Sequence, residues 1–154
     1  TTGNYKLSFD IVPRGTVSNI VSIIHFTTGN DMSPFGSRAP AFWLYPGSTR
    51  LHCRIGDSSE LNWGIDPNHG IPINVHTKVT LECNGATVKL TVGGHVYTAV
   101  QPNHRFAGKL LVYASNTYEQ NANAEINGFE YEILPATKAK AGTCTDVQTV
   151  LHIY

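Results

Sequence analysis

The stretch TKVTLECNGATVKLTVGGHVYTA, residues 77–99, predicts three antiparallel strands joined by two very short turns. The dipeptides Asn84-Gly85 and Gly93-Gly94 lie between runs of alternating apolar residues. Both dipeptides tolerate the positive φ angles that two-residue hairpin turns require. Because side chains alternate between the two faces of a strand, the sheet has one apolar and one polar face. A second sheet must cover the apolar face.

The two turns also fix the expected pairing of these strands. With Asn84-Gly85 as the first loop, the predicted pairs are Cys83 with Ala86, Leu81 with Val88 and Val79 with Leu90. With Gly93-Gly94 as the second loop, they are Val92 with His95, Leu90 with Tyr97 and Val88 with Ala99. A slip of one residue would turn the whole apolar set toward water.

Similar patterns outside this stretch predict further strands at residues 5–11, 20–26, 41–45, 50–55, 109–115 and 124–134. In the last of these, Gly128 separates two phases of alternation and indicates a bulge. No segment shows a helical period. The chain is therefore expected to be all-β, a two-sheet antiparallel sandwich of the jelly-roll type, over residues 1–135. Residues 136–154 read as a linker and C-terminal extension, whose last part is either an added strand or the start of a further region.

Composition limits the possible partners. The 154 residues carry 11 Lys and Arg against 11 Asp and Glu, a balance that argues against nucleic acid and anionic membranes as partners. Few charges together with 14 Gly and 8 Pro are typical of a loop-rich extracellular module. No apolar run approaches membrane-spanning length, and no signal-peptide pattern follows Thr1. We expect a processed or excised piece of a secreted or cell-surface protein.

Two of the three cysteines, Cys53 and Cys83, occupy inward positions of predicted strands. They either form a buried disulfide or remain as two small core thiols. The secreted type of composition favours the disulfide. Cys144 lies beyond the predicted core and is either free or bonded to a partner elsewhere.

The order of strands and turns resembles the concanavalin A-like lectins and glucanases, including the laminin-G-like jelly rolls. The segments that carry this resemblance are 50–57 (RLHCRIGD), 77–94, 109–115 (KLLVYAS) and 124–131 (AEINGFEY). It extends from about residue 5 to 134. It implies a concanavalin A-like sandwich, a fold that serves sugar-binding lectins, adhesion modules and glycanases alike.

The glycanases among these families carry an E-x-D-x-E type strand, which presents carboxylates on one face for acid and nucleophile chemistry. The nearest segment here, 125–132, has no aspartate between its glutamates. Galectins use H-x-N-x-R and W-G-x-E, which His52-Cys53-Arg54 and Trp63-Gly64-Ile65-Asp66 do not match. Zinc-site spacings and nucleophile elbows are absent from the sequence as well. We therefore expect no catalysis.

A calcium ion accompanies this fold in some members of these families. It requires several oxygen ligands from closely spaced Asp and Asn residues. The spacing of Asp66 and Asn68 makes them weak calcium candidates, although the same pattern is a good turn former. No cofactor is expected otherwise.

Long polar loops are the expected binding surface, because recognition residues concentrate in loops on a rigid scaffold. Carboxylates, amides and arginine suit sugar hydroxyl groups, and Trp or Tyr suits the apolar face of a sugar ring. Trp63 either stacks on such a ring or folds back over the core. The candidate ligand-binding residues are Asn30, Asp31, Arg38, Trp63, Asp66, Asn68, His69, Asn116 and Tyr118.

These observations favour a non-catalytic extracellular module that recognises carbohydrate, as a glycan or a glycosylated cell-surface protein. The site is expected in loops at one end of the sandwich or on its concave face. One alternative is an adhesion or receptor-recognition module that binds protein through the same loops. A second alternative is a polysaccharide-degrading enzyme.

Overall fold

The computed structural model describes residues 3–29, 33–116 and 118–135, and the backbone of 151–153. Within these ranges the chain forms strands and turns and no helix, so the predicted all-β sandwich of two sheets is confirmed. The strands are β1 (Tyr5–Pro13), β2 (Val21–Thr27), β3 (Ala41–Leu44), β4 (Leu51–Arg54), β5 (Gly64–Ile65), β6 (Thr77–Asn84), β7 (Thr87–Val92), β8 (His95–Val100), β9 (Leu110–Tyr113), β10 (Gln120–Asn121), β11 (Ala124–Ile133) and β12 (Leu151–Ile153).

The smaller sheet has the strand order β11-β1-β6-β7-β8, and all its pairs are antiparallel. The bulge predicted at Gly128 is present: the β1–β11 register shifts between Ser8 and Asp10, opposite this glycine, whose φ is +59°. The bulge resets the alternation, so that Ile126, Phe129 and Tyr131 all pack against the core.

The register of the β6–β7–β8 meander agrees with the prediction in one of its two hairpins. The second hairpin pairs Val92 with His95, Leu90 with Tyr97 and Val88 with Ala99, which confirms the prediction. The first hairpin was predicted wrongly: its loop is Gly85-Ala86, so the observed pairs are Cys83 with Val88, Leu81 with Leu90 and Val79 with Val92. The shift is two residues, which preserves the alternation, so the same side chains still face inward.

The larger sheet has the order β12-β9-β2-β3-β4-β5, with β10 beside β2. Strands β10 and β12 add in parallel to β2 and β9, whereas the remaining pairs are antiparallel. The two-residue strands β5 and β10 lie outside the strand segments predicted from the sequence. They are too short for an alternation pattern to reveal them.

The core fills the space between the sheets. Phe9 of β1 meets Phe42 of β3 edge to face, with ring centroids 5.2 Å apart, and both are fully buried. Residues described by the structure include no helix of the length and hydropathy that would span a bilayer.

The disulfide predicted between Cys53 and Cys83 is wrong. Both cysteines are free and fully buried, Cys53 in the larger sheet and Cys83 in the smaller. Each thiol fills a core position as a small hydrophobic group, and the Cys83 thiol lies beside Tyr5. Burial raises the pKa of the Cys53 thiol and raises that of Cys83 to about 11. Cys144 lies outside the described residues.

Candidate functional site

The outer face of the larger sheet carries polar and aromatic side chains where strands β3 and β4 run side by side. On β4, Leu51 and Cys53 point into the core, so the alternation turns His52 and Arg54 outward. Trp43 lies opposite His52 on β3, and its ring centroid is 5.7 Å from that of His52. A polar surface results from ordinary strand alternation.

At the outer edge of this face, five side chains form what we call the His52 cluster: Tyr45, Arg50, His52, Arg54 and Asp66. The His52 Nδ1 lies 2.9 Å from Asp66 Oδ1 and 3.0 Å from Tyr45 Oη. Arg54 grips the same carboxylate at two points, with Nη1–Oδ1 2.9 Å and Nη2–Oδ2 2.7 Å. The Arg50 guanidinium lies 4.2 Å above the centre of the Tyr45 ring.

This geometry fixes the His52 tautomer. A carboxylate can only accept a hydrogen bond, so Nδ1 carries the proton and donates it to Asp66. Nε2 then bears the lone pair, and it has no hydrogen-bond partner among the described residues. Burial and the charge of Arg54 lower the pKa of His52, which keeps the imidazole neutral near pH 7. His52 therefore offers an acceptor at the surface.

Asp66 is held as a carboxylate. Partial burial raises its pKa, but hydrogen bonds and charge from Arg54 outweigh this, so the net pKa lies below its ordinary value. The side chain is 35% exposed while that of Arg54 is 9% exposed. The ion pair thus presents an anionic edge to solvent and buries its cationic partner.

Behind the His52 cluster, the rings of Trp43 and His25 lie next to each other in the protein interior. Trp43 is 2% exposed and meets the His25 ring edge to face at 5.4 Å. His25 Nε2 donates to the Ser37 carbonyl, and burial lowers the pKa of His25. These two residues support the face from below and are too buried to touch a ligand.

A second surface lies beside the first, at the turn before β10. Asn116 Oδ1 accepts from the backbone N–H groups of Tyr118 and Glu119, each at 2.8 Å. The Glu119 carboxylate accepts from Asn116 Nδ2 and, at 3.3 Å, from Trp43 Nε1. The turn is thus bonded within itself through Asn116 and to the sheet through Glu119, and the Tyr118 side chain remains exposed at 46%.

Tyr118 borders an open depression of about 570 Å³, which we call the Tyr118 depression. This volume lies in the range of small-molecule sites in proteins. Hydroxyl, amide, carboxylate and apolar groups share its surface. The lining residues are Ser18, Asn19, Ile20, Pro46, Tyr118, Glu119 and Gln120.

Four of the predicted ligand-binding residues meet on this side of the molecule. Asp66 belongs to the His52 cluster, and Asn116 and Tyr118 build the second surface. Arg38 donates to the Leu61 carbonyl. Burial is the main cause of the lowered pKa of His25 and His52, and the positive charge of Arg38 lowers both further.

The other predicted residues lie elsewhere. Trp63 is half-buried and packs against the hydrophobic core, which supports its interpretation as a loop anchor. Asn68 and His69 bond the Tyr97 hydroxyl on β8 of the smaller sheet, at 3.2 and 3.0 Å. Asn30 and Asp31 fall outside the described residues.

Sequence reasoning did not name Tyr45, Arg50, His52, Arg54 or Glu119 as candidate site residues. The alternation in residues 50–55 already placed His52 and Arg54 on one face. What could not be read from the sequence was Asp66 returning to that face, since this depends on β5 pairing with β4.

Metal binding finds little support in this region. Within the described ranges, no three His, Cys, Asp or Glu side chains are arranged to hold an ion. Arg54 occupies both carboxylate oxygens of the calcium candidate Asp66. The other candidate, Asn68, bonds Tyr97 instead.

Comparisons with known proteins give likenesses to solved structures and no family match. The sequence matches no protein-family model, and a search of curated proteins finds no match. Among solved structures, a polysaccharide lyase of family 18, aly-SJ02, aligns with a TM-score of 0.48 and 8% sequence identity. The alignment covers 84% of this chain and 72% of that one.

Proposed function

We propose that this protein is a non-catalytic, extracellular carbohydrate-binding module of the concanavalin A-like type, and that it binds sugar in the Tyr118 depression. One observation carries the proposal: an exposed aromatic ring is held by an anchored turn over a depression lined with hydrogen-bonding groups. A glycan or a glycosylated cell-surface protein would be the partner.

The chemistry of the depression suits a sugar. A pyranose ring has an apolar face, which packs on an aromatic ring, and a rim of hydroxyl groups that both donate and accept. Ser18, Asn19 and Gln120 offer both functions, and Glu119 offers an acceptor. Because hydrogen bonds hold the Tyr118 backbone N–H and the neighbouring Glu119 side chain, the backbone of the turn needs little ordering when a ligand binds.

A glycan array with the purified protein tests this proposal. We expect binding to a restricted set of saccharides, and Tyr118→Ala should weaken it by roughly tenfold or more, since stacking contributes on the order of 1 kcal/mol beyond the buried area. Tyr118→Phe is the matched control: it keeps the ring face and should retain most of the affinity. If no saccharide binds, or if Tyr118→Ala binds as well as the wild type, the proposal is wrong.

The same array separates the protein-binding alternative. An adhesion or receptor-recognition module would bind no isolated saccharide and would bind a purified protein partner equally well after enzymatic removal of its glycans. That pair of results would favour protein recognition over sugar recognition.

The alternative of a polysaccharide-degrading enzyme has one observation in its favour. Asp66 holds the proton of His52 on Nδ1, which leaves a neutral Nε2 with a free lone pair, as a general base requires. Incubation with plant, algal and animal polysaccharides, followed by assays for reducing ends and unsaturated sugars, tests it. Product released by the wild type and abolished in His52→Gln would replace the non-catalytic proposal with an enzymatic one.

A further inference from the structure

We infer that the His52 cluster is a second sugar subsite, continuous with the Tyr118 depression, so that the ligand is an oligosaccharide with consecutive units in both. This inference rests on the proposed function and extends it. It adds the expectation that affinity increases with the length of the oligosaccharide, which a single binding pocket would not show.

The two surfaces are joined in two ways, once through the peptide chain and once through a hydrogen bond. Pro46 lines the depression, and the residue before it, Tyr45, belongs to the His52 cluster. On the other side, Glu119 lines the depression and is bonded to Trp43, whose ring packs against that of His52. Neighbouring strands lie about 4.8 Å apart, so one strand spacing separates His52 on β4 from Trp43 on β3, the residue that bonds Glu119 of the depression.

The groups of the His52 cluster are complementary to sugar hydroxyls. His52 Nε2 and the exposed edge of Asp66 accept hydrogen bonds. The Arg50 guanidinium packs on Tyr45 and makes no side-chain hydrogen bond to a described residue, so its donors are available to a ligand. Buried Arg54 and Trp43 hold the arrangement in place before any ligand arrives, which lowers the entropy lost on binding.

The experiment measures dissociation constants for cello-, manno-, chito- and galacturono-oligosaccharides of one to six units by isothermal titration calorimetry. In the series that binds, affinity should rise by roughly tenfold between the shortest and the longer members, as a second set of hydrogen bonds forms. Arg50→Ala and His52→Gln should remove this gain and leave the affinity for the shortest binding member unchanged. Tyr118→Ala should weaken every member.

Two controls accompany these variants. Arg50→Lys keeps a donor and a positive charge and should retain part of the gain. Arg14→Ala removes an exposed arginine that pairs with Glu125 at the smaller sheet and should change nothing.

The possible results separate this inference from the proposed function. Tyr118-dependent binding with the same affinity at every length, or a length gain that survives both Arg50→Ala and His52→Gln, would overturn the second subsite alone. Absence of binding in every series and on the array would overturn both. Thermal unfolding of each variant shows whether it remains folded at the temperature of the titration.

Discussion

Arg54 and Asp66 form a two-point ion pair on the outer face of the larger sheet, with Nη1–Oδ1 and Nη2–Oδ2 distances of 2.9 and 2.7 Å. The pair joins β4 to the segment that follows β5. It also sets the tautomer of His52, because the same carboxylate accepts from His52 Nδ1. The Asp66 carboxylate therefore holds the buried Arg54 guanidinium and leaves His52 Nε2 as a hydrogen-bond acceptor.

Asp66→Asn should destabilise the fold more than an ordinary surface substitution. The amide cannot accept from both guanidinium nitrogens, so the buried Arg54 is left partly unpaired. Loss of a hydrogen bond to a buried charged group costs about 1–3 kcal/mol, and this should appear in the free energy of unfolding measured with urea. Glu125→Gln is the matched control: its ion pair with Arg14 is exposed, and its loss should cost less than about 1 kcal/mol. Equal losses in the two variants would contradict the structural role of Asp66.

The pH dependence of stability should reflect two histidines held neutral. Burial lowers the pKa of His25 and His52 below the ordinary value of 6.5, so the unfolded chain binds more protons as the pH falls below that value. The free energy of unfolding should thus be at its full value above about pH 6.5 and decline toward pH 5. Urea titrations between pH 5 and 8 measure it.

In these titrations His52→Gln should show a smaller decline between pH 7 and pH 5 than the wild type. The exposed and non-titratable control Asn62→Ala should keep the wild-type slope. A wild-type curve that stays flat across this interval, or an unchanged slope in His52→Gln, would count against the proposed environment of His52.

Much of the fold could be predicted from residues 77–99, because a short turn and strict alternation determine which side chains are buried. The wrong register of the first hairpin illustrates the limit: Asn84-Gly85 and Gly85-Ala86 place the same residues inward, so burial alone cannot distinguish them. The disulfide prediction failed for a related reason. Inward position and composition do not reveal whether two cysteines from facing sheets are bonded or pack as thiols.

The site was less predictable than the fold. Sequence reasoning favoured polar residues in long loops, among them Asn116 and Tyr118, and their role in binding stays a prediction. It passed over His52 and Arg54 because their arrangement depends on Asp66, a partner 12 to 14 residues away in sequence. The two-residue strand β5 places Asp66 beside them. Pairings of this kind are set by tertiary structure and leave no periodic signal.

The core thiols should resist modification in the folded protein. Cys53 and Cys83 are fully buried, and burial raises the pKa of both, so little thiolate forms and reagents cannot reach it. In a Cys144→Ser background, we expect a thiol-specific disulfide reagent to detect no thiol in native protein and two in urea. If the reagent detects no thiol in urea before reduction, Cys53 and Cys83 are bonded as a disulfide and this prediction is wrong.

Asn116→Ala should loosen the turn that presents Tyr118 without unfolding the sandwich. It removes both acceptor contacts to the Tyr118 and Glu119 N–H groups and the donor contact to the Glu119 carboxylate. Net costs near 1 kcal/mol are typical of such neutral contacts, and the effect should be concentrated in the turn. Amide hydrogen exchange should accelerate at Tyr118 and Glu119 and remain unchanged in β6 and β7.

The matched control is the exposed Asn62→Ala, whose exchange profile should equal that of the wild type. Unchanged protection at Tyr118 and Glu119 in Asn116→Ala would show that the turn is held by the Trp43–Glu119 contact alone.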